Sequence, residues 1–122
     1  MKNKPFAVLV VVVGLLTVSG PMFAHHSNAV FDSNRVITVT GTVTKFQFIN
    51  PHIQIHFEVK DDQGNTEQWI SISGTPNNRR RRGWNRNTIK PGDQITISGN
   101  PYKDGRPLMS TGKIILNCEE LP

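Results

Sequence analysis

The chain has 122 residues, 36% of them hydrophobic, and its 14 Lys and Arg side chains outnumber the 9 Asp and Glu. This length is enough for one domain and leaves little room for a second. The single cysteine excludes an intrachain disulfide framework and a zinc site built from cysteines alone.

Residues 1–24 carry the pattern of a secretory signal peptide. Lys2 and Lys4 precede an apolar stretch at residues 6–18, and Ala24 supplies a small residue at the cleavage position. The apolar stretch is shorter than the roughly 20 residues that a membrane-spanning helix needs, which disfavours the alternative of an uncleaved anchor. We therefore predict periplasmic localisation, cleavage after Ala24 and no stable membrane span in the mature chain.

Cleavage also changes the charge. The mature chain has 98 residues, and the loss of Lys2 and Lys4 lowers the formal charge from +5 to +3. A charge of this size is ordinary for a soluble domain, and export separates the protein from the nucleic acids of the cell interior. The sequence therefore predicts no nucleic-acid partner.

The mature chain is predicted to be one mainly β domain at residues 36–118. A polar, extended segment at 25–35 precedes the domain, and a tail at 119–122 follows it. Alternation of apolar with polar residues, rich in Thr, Val and Ile, indicates five strands. The predicted strands are 36–45, 53–60, 66–73, 94–98 and 109–116, with a short helix at 77–82.

Five strands with a helix between the third and the fourth follow the order of an OB-fold, a small and partly open barrel. Gly41 interrupts the first strand as a bulge or sharp bend would, and Phe46 and Phe48 continue the alternation in the opposite phase. A long bent first strand suits such a barrel. We predict an OB-like barrel, with a small open β-sandwich as the alternative.

The predicted helix carries a concentrated positive charge. Thr75 and Pro76 are typical of a helix start, and Gly83 is typical of a helix end. At least one arginine stem should pack under the barrel, and Trp84 should anchor the helix. The positive residues, which we call the arginine cluster, are Arg79, Arg80, Arg81, Arg82 and Arg86.

The arginine cluster has two interpretations. It could hold an anionic headgroup, a phosphate or an acidic protein partner. It could equally be a solvated helix surface, as clusters of one charge sign often are.

The second and third predicted strands offer another candidate surface, because OB barrels commonly bind ligands there. Trp69 on this face could stack on a sugar or another ring, or it could belong to the core if the strand phase slips by one residue. The residues predicted to share the face are Gln54, His56, Glu58, Trp69, Ser71 and Ser73.

Histidines at the new amino terminus predict a metal site. Cleavage after Ala24 places a free α-amine beside the His25 imidazole, and His26 adds a third nitrogen. Nitrogen ligands of this kind suit copper(II) or nickel(II), and His52 is the favoured additional ligand. Four residues of strand span about 13 Å, so His52 and His56 should not share one ion. The alternative is a polar terminus without metal.

The chain lacks the signatures of common enzymes, including a glycine-rich phosphate loop and a nucleophile elbow. We therefore predict a binding protein rather than an enzyme. Copper is the leading ligand, and an anionic ligand, membrane surface or protein partner is the alternative. Cys118 could cross-link two chains, but burial against the last strand is favoured because free cysteines tend to be buried.

The mature sequence resembles a family of small bacterial periplasmic proteins that is catalogued as a domain of unknown function. That resemblance implies export, a single domain and no assigned activity. The motifs that carry it are His25-His26-Ser27, Phe31-Asp32, Thr40-Gly41-Thr42-Val43, Asn50-Pro51-His52, Trp69, Thr75-Pro76-Asn77, Arg80-Arg81-Arg82-Gly83-Trp84, Ile89-Lys90-Pro91-Gly92-Asp93 and Ser98-Gly99.

Overall fold

The computed structural model describes residues 30–122. The predicted signal peptide and the histidines at 25 and 26 therefore lie outside the described residues. In chain order the elements are β1 (Ile37–Gln47), β2 (Gln54–Lys60), β3 (Thr66–Ile72), α1 (Pro76–Arg80), β4 (Gln94–Gly99), β5 (Leu108–Ser110), β6 (Lys113–Leu116) and β7 (Glu119–Glu120). No helix in this part of the chain is long and apolar enough to cross a membrane.

The strands form one sheet in the order β5-β3-β2-β1-β4-β6-β7. β1 is long enough to pair with β4 through its first half and with β2 through its second half. The pairing with β2 shifts register between Val43 and Lys45, and the side-chain phase inverts there, as the sequence predicted for Phe46. The irregularity lies beyond Gly41, however. A Cβ at Gly41 would lie 2.3 Å from the backbone oxygen of Glu58, so that glycine permits close strand contact.

The prediction of five strands in a barrel needs correction, because the described residues form seven strands in a sheet that is not closed. The predicted last strand is two strands: β5 runs parallel to β3, and β6 runs antiparallel to β4. Between them, the Thr111 N–H donates to Ile72 O and the Gly112 N–H donates to Ser98 O, each at 2.9 Å. The chain thus changes strand partner within two residues.

The tail is part of the sheet. Glu119 and Glu120 form β7 against β6, the Leu121 N–H donates to Ile114 O at 3.0 Å, and the Leu121 side chain packs against the core. Cys118 is exposed at a positive φ of 73° in the turn before β7, so the prediction that it is buried is wrong. The tight turn points its side chain away from the strand that was expected to cover it.

The core is built mainly from the inward residues of β2, β4 and β6, as the apolar alternation predicts. Ile53, before β2, and Ile55 and Phe57 within it are fully buried. The phase predicted for β3 is wrong, because Trp69 pairs with Phe57 and Ser71 with Ile55 on the core face. The other buried apolar residues are Val43, Phe48, Trp84, Ile89, Ile95, Ile97, Met109, Ile114 and Leu116.

Candidate anion-binding site

The helix α1 is short and is closed at both ends by its own sequence. The Thr75 side chain accepts a hydrogen bond from the Asn78 N–H at 3.3 Å, and Pro76 occupies the first turn. At the other end Gly83 adopts φ +90°, which places its N–H on Arg80 O at 2.9 Å. These two ends confirm the predicted helix start at Thr75 and Pro76 and the predicted stop at Gly83. They also fix the backbone from which the arginine side chains project.

An aromatic cluster lies beneath the helix. Trp84 directly follows the helix cap and is only 3% exposed, so it anchors the segment as predicted. Its ring centroid lies 6.5 Å from that of Phe46, which in turn lies 6.0 Å from that of Phe48. The indole Nε1–H donates to the backbone oxygen of Pro122 at 3.1 Å, which ties the tail to this cluster.

Arg79 is the half-buried member of the arginine cluster and confirms that one arginine stem packs inward. Its guanidinium carbon lies 4.6 Å from the Trp84 ring centroid. Its Nε donates to Ser73 Oγ at 3.1 Å and its Nη1 donates to Pro122 O at 3.4 Å. Burial, and secondarily the positive charge of Arg82, lower the pKa of Arg79 below its ordinary value.

The other arginines of the cluster are exposed. The guanidinium of Arg80 lies over the Phe48 ring, 5.2 Å from its centroid, and its Nη1 donates to Asn77 Oδ1 at 3.2 Å. Arg81, Arg82 and Arg86 make no side-chain hydrogen bond or ion pair within residues 30–122. They therefore remain available to an external anion.

No acidic side chain compensates this charge locally. The sequence contains no Asp or Glu between Glu67 and Asp93, a stretch that includes the entire arginine cluster. Across the described residues the ion pairs join Arg106 to Asp104 and Lys113 to Glu120, both outside the cluster. The basic excess of the chain is therefore concentrated at α1 and the loop that follows it.

The arginine cluster borders an open cleft of about 270 Å³. The cleft lies where α1 faces the segment that joins β5 to β6. The Thr111 hydroxyl, on that segment, forms a hydrogen bond of 2.5 Å with the Ser71 hydroxyl. The residues that line the cleft are Gly74, Asn78, Arg79, Arg82 and Thr111.

The face of β2 and β3 differs from the predicted ligand face. Trp69 lies on the core side, where it is half-buried and 6.5 Å from the Phe57 ring. Ser71 and Ser73 are buried on the same side, bonded to Thr111 and Arg79 respectively. The outward side carries Gln54, His56, Glu58, Lys60, Thr66, Gln68, Ile70 and Ile72.

A second open cleft of about 290 Å³ lies where β2 turns into β3. Its chemistry is acidic and aromatic, in contrast to that of the cleft beside α1. Its lining residues are Val59, Asp61, Asn65, Thr66, Glu67 and Trp69.

The two described histidines do not form a metal centre. His52 is exposed before β2, whereas the Nε2 atom of His56 lies 3.2 Å from both Gln47 Oε1 and Gln54 Oε1. Burial, and secondarily the charge of Lys45, lower the pKa of His56. Within residues 30–122 no three or more His, Cys, Asp or Glu side chains are grouped as metal ligands. The predicted ligands His25 and His26 lie outside this range.

The chain is similar in fold to solved structures with which it shares little sequence identity. Its β domain is similar to the mitochondrial single-stranded DNA-binding protein Rim1 of S. cerevisiae, with a TM-score of 0.52 and 8% identity over 67% of this chain and 92% of Rim1. It is also similar to the N-terminal domain of the PriB protein from Thermoanaerobacter tencongensis, with a TM-score of 0.51 and 18% identity over 68% and 96%. These likenesses define an OB-fold-like domain.

The chain belongs to DUF6152, a family of unknown function, which it matches over residues 11–111. This confirms the predicted membership of a family without assigned activity. No curated protein matches the chain in sequence.

Proposed function

We propose that this protein is an exported binding module that holds an anionic ligand or partner through the arginine cluster. The observation that carries this proposal is the uncompensated charge. Five arginines lie within eight residues, and no acidic side chain lies between Glu67 and Asp93 in sequence or pairs with the cluster in the described residues.

The chemistry of arginine supports an oxyanion as the ligand. The guanidinium presents donors in a planar fork that matches phosphate, sulfate and carboxylate oxygens. Arg79 and Arg80 are oriented by aromatic rings, which limits the side-chain entropy that binding would cost. Arg81, Arg82 and Arg86 remain exposed around them.

Nucleic acid is not the ligand that we propose. Rim1 is named as a single-stranded DNA-binding protein, but its 8% identity indicates only a shared fold. Binding of single strands uses aromatic side chains on which bases stack. Here Phe57 is buried and Trp69 lies on the core side, so the outward face of β2 and β3 presents neither Phe, Tyr nor Trp.

Retention on immobilised heparin, a sulfated polyanion, tests the proposal. The mature protein should bind at low salt and elute as salt screens the charges. The variant Arg81→Gln/Arg82→Gln/Arg86→Gln should elute at markedly lower salt.

The matched control removes the same amount of charge elsewhere. Arg35, Lys60 and Lys103 are exposed and lie outside the cluster. The variant Arg35→Gln/Lys60→Gln/Lys103→Gln should stay close to the wild type. Equal losses in the two triple variants, or no retention of the wild type at low salt, would refute a specific role for the arginine cluster.

Export is the part of the proposal that the signal-peptide pattern supports. Cells expressing the full chain should release a 98-residue form from the periplasm by osmotic shock, with His25 as its first residue. Amino-terminal sequencing checks this expectation, and an intact Met1 in the membrane fraction would contradict it.

Copper binding remains a second candidate. His52 is exposed, whereas His56 is held by two glutamines, so the proposed ligands are the terminal amine, His25, His26 and His52. The mature protein should bind about one copper(II), more weakly in acid because the ligands must be deprotonated. A chain with one extra alanine before His25 should bind more weakly, and unchanged affinity would refute a role for the terminal amine.

A further inference from the structure

The cleft beside α1 has the size of a site for one small group. Its volume of about 270 Å³ lies just below the range typical of pockets for drug-sized ligands. At the lining position Gly74, a Cβ atom would meet nothing within 4 Å. The space beside the arginines is therefore open.

Donors converge on this cleft from two separate parts of the chain. Arg79 and Arg82 line it from the helix side, close enough that the charge of Arg82 lowers the pKa of Arg79. Thr111 lines it from the segment between β5 and β6. Since the Ser71 hydroxyl can donate to Thr111 Oγ1, the Thr111 hydroxyl can donate into the cleft.

Arg79 is held in place before any ligand arrives. Its hydrogen bonds to Ser73 and Pro122 use Nε and Nη1, which leaves the Nη2 donors without a partner in the described residues. Its position over Trp84 fixes the plane of the guanidinium. A ligand therefore meets one oriented arginine and one exposed arginine, Arg82, that can close on it.

We propose that this cleft binds a single phosphoryl group, either free phosphate or the terminal phosphate monoester of a lipid headgroup. This inference rests on the proposed function and names its ligand class. A phosphate monoester offers three oxygens and carries nearly two negative charges at neutral pH. The cleft is lined by two guanidinium groups, the Thr111 hydroxyl and the Asn78 side-chain amide, which together offer donors for several oxygens of such a tetrahedral group, whereas one guanidinium fork already satisfies a planar carboxylate.

Titration of the mature protein with inorganic phosphate, followed by amide resonances, tests the inference. The Gly74 and Thr111 amides should shift with phosphate and saturate, whereas acetate should bind at least about tenfold more weakly. Arg82→Gln should weaken phosphate binding by about tenfold, as expected for the loss of a charge-assisted hydrogen bond.

Arg35→Gln is the matched control, because Arg35 is an exposed arginine outside the arginine cluster and does not line the cleft. It should change phosphate affinity by less than about twofold. Gly74→Leu keeps the charge and fills the open space, so it should abolish phosphate binding while heparin retention persists. Circular dichroism should show that each variant is folded.

Vesicles distinguish the two sources of the phosphoryl group. Binding to phosphatidate vesicles that is lost in Gly74→Leu identifies a lipid headgroup, and binding of phosphate without such vesicle binding identifies the free ion. Equal effects of Arg82→Gln and Arg35→Gln, or acetate binding as tight as phosphate, would overturn the inference. Heparin retention that still depends on the arginine cluster would then leave the broader proposal intact.

Discussion

Arg79 shows how one side chain connects distant parts of this chain. The sequence predicted that an arginine stem would pack inward, since long basic side chains commonly cover apolar surface. Its partners were not predictable. Ser73 directly follows β3, the strand whose phase was misassigned, and Pro122 is 43 residues further along the chain. Local patterns contain no information about such a contact.

Gly99 is buried where the end of β4 meets the end of β5, and this packing yields a prediction. An added Cβ would lie 1.9 Å from the backbone oxygen of Ser110, which cannot move without breaking strand contacts. Gly99→Ala should therefore lower the free energy of unfolding by about 1–3 kcal/mol, measured by urea denaturation. Gly74→Ala is the control and should change stability by less than about 1 kcal/mol, because its Cβ meets open space. Equal stabilities for the two variants would contradict the close contact.

His56 makes the stability depend on pH. Its pKa is lowered in the fold by burial and then by Lys45, so between the folded and unfolded pKa values the unfolded chain binds more protons. Stability then rises with pH. The contribution is complete above the unfolded value near 6.5 and is lost as the pH falls from that value through the lower folded value.

Urea denaturation of the wild type and of His56→Gln, at about pH 7.5 and about pH 5.5, measures this effect. The wild type should lose more stability on acidification than the variant, because glutamine does not titrate in this range. Identical losses would show that another group is responsible.

Among the strands, the predictions succeeded where apolar and polar residues alternate regularly along the sequence. β2 alternates apolar and polar residues without exception from Ile53 to Lys60 and was placed correctly. In β3 both faces of the strand carry apolar side chains, Trp69 on one and Ile70 and Ile72 on the other. The face turned to the core is the one with Trp69 and the buried Ser71, and the buried Ser73 follows on the same side. Their hydrogen bonds to Thr111 and Arg79 offset the cost of burial, and those partners come from other elements.

The last predicted strand failed for a related reason. Residues 109–116 read MSTGKIIL, which shows no regular alternation, and Thr111 bonds to Ile72 of β3 while Gly112 bonds to Ser98 of β4. The sequence contains no local signal for this change of partner from β3 to β4, which lie apart in the sheet. The cleft could not be predicted from the sequence for the same reason. Thr111 lines it together with Gly74 and Asn78 because the chain changes strand partner at this point.

The tail should stabilise the domain. Leu121 packs against the core and Pro122 accepts hydrogen bonds from Trp84 and Arg79. Removal of residues 121 and 122 should cost on the order of 2 kcal/mol from lost apolar burial and hydrogen bonds. Urea denaturation checks this value. The control Cys118→Ser alters an exposed side chain and should change stability by less than about 0.5 kcal/mol, and equal effects of both changes would contradict a stabilising tail.

For the whole molecule, the fold and the distribution of charge are separate properties, and only the second is particular to this chain. The OB-fold-like architecture is shared with proteins at 8% and 18% identity, so the fold alone does not define a ligand. What distinguishes this chain is the concentration of arginines on one short helix and loop, without local acids. The cluster is visible in the sequence itself, whereas the cleft beside it required the tertiary structure.

The central claim is that the arginine cluster is the surface that binds anions, and mapping the bound surface residue by residue tests it. Amide resonances of the mature protein should be recorded while a short heparin oligosaccharide is added at low salt. The arginine cluster predicts that the shifts concentrate at residues 74–86 and at Thr111, and that they disappear in Arg81→Gln/Arg82→Gln/Arg86→Gln. Shifts centred on the outward face of β2 and β3, or unchanged in that variant, would contradict the claim.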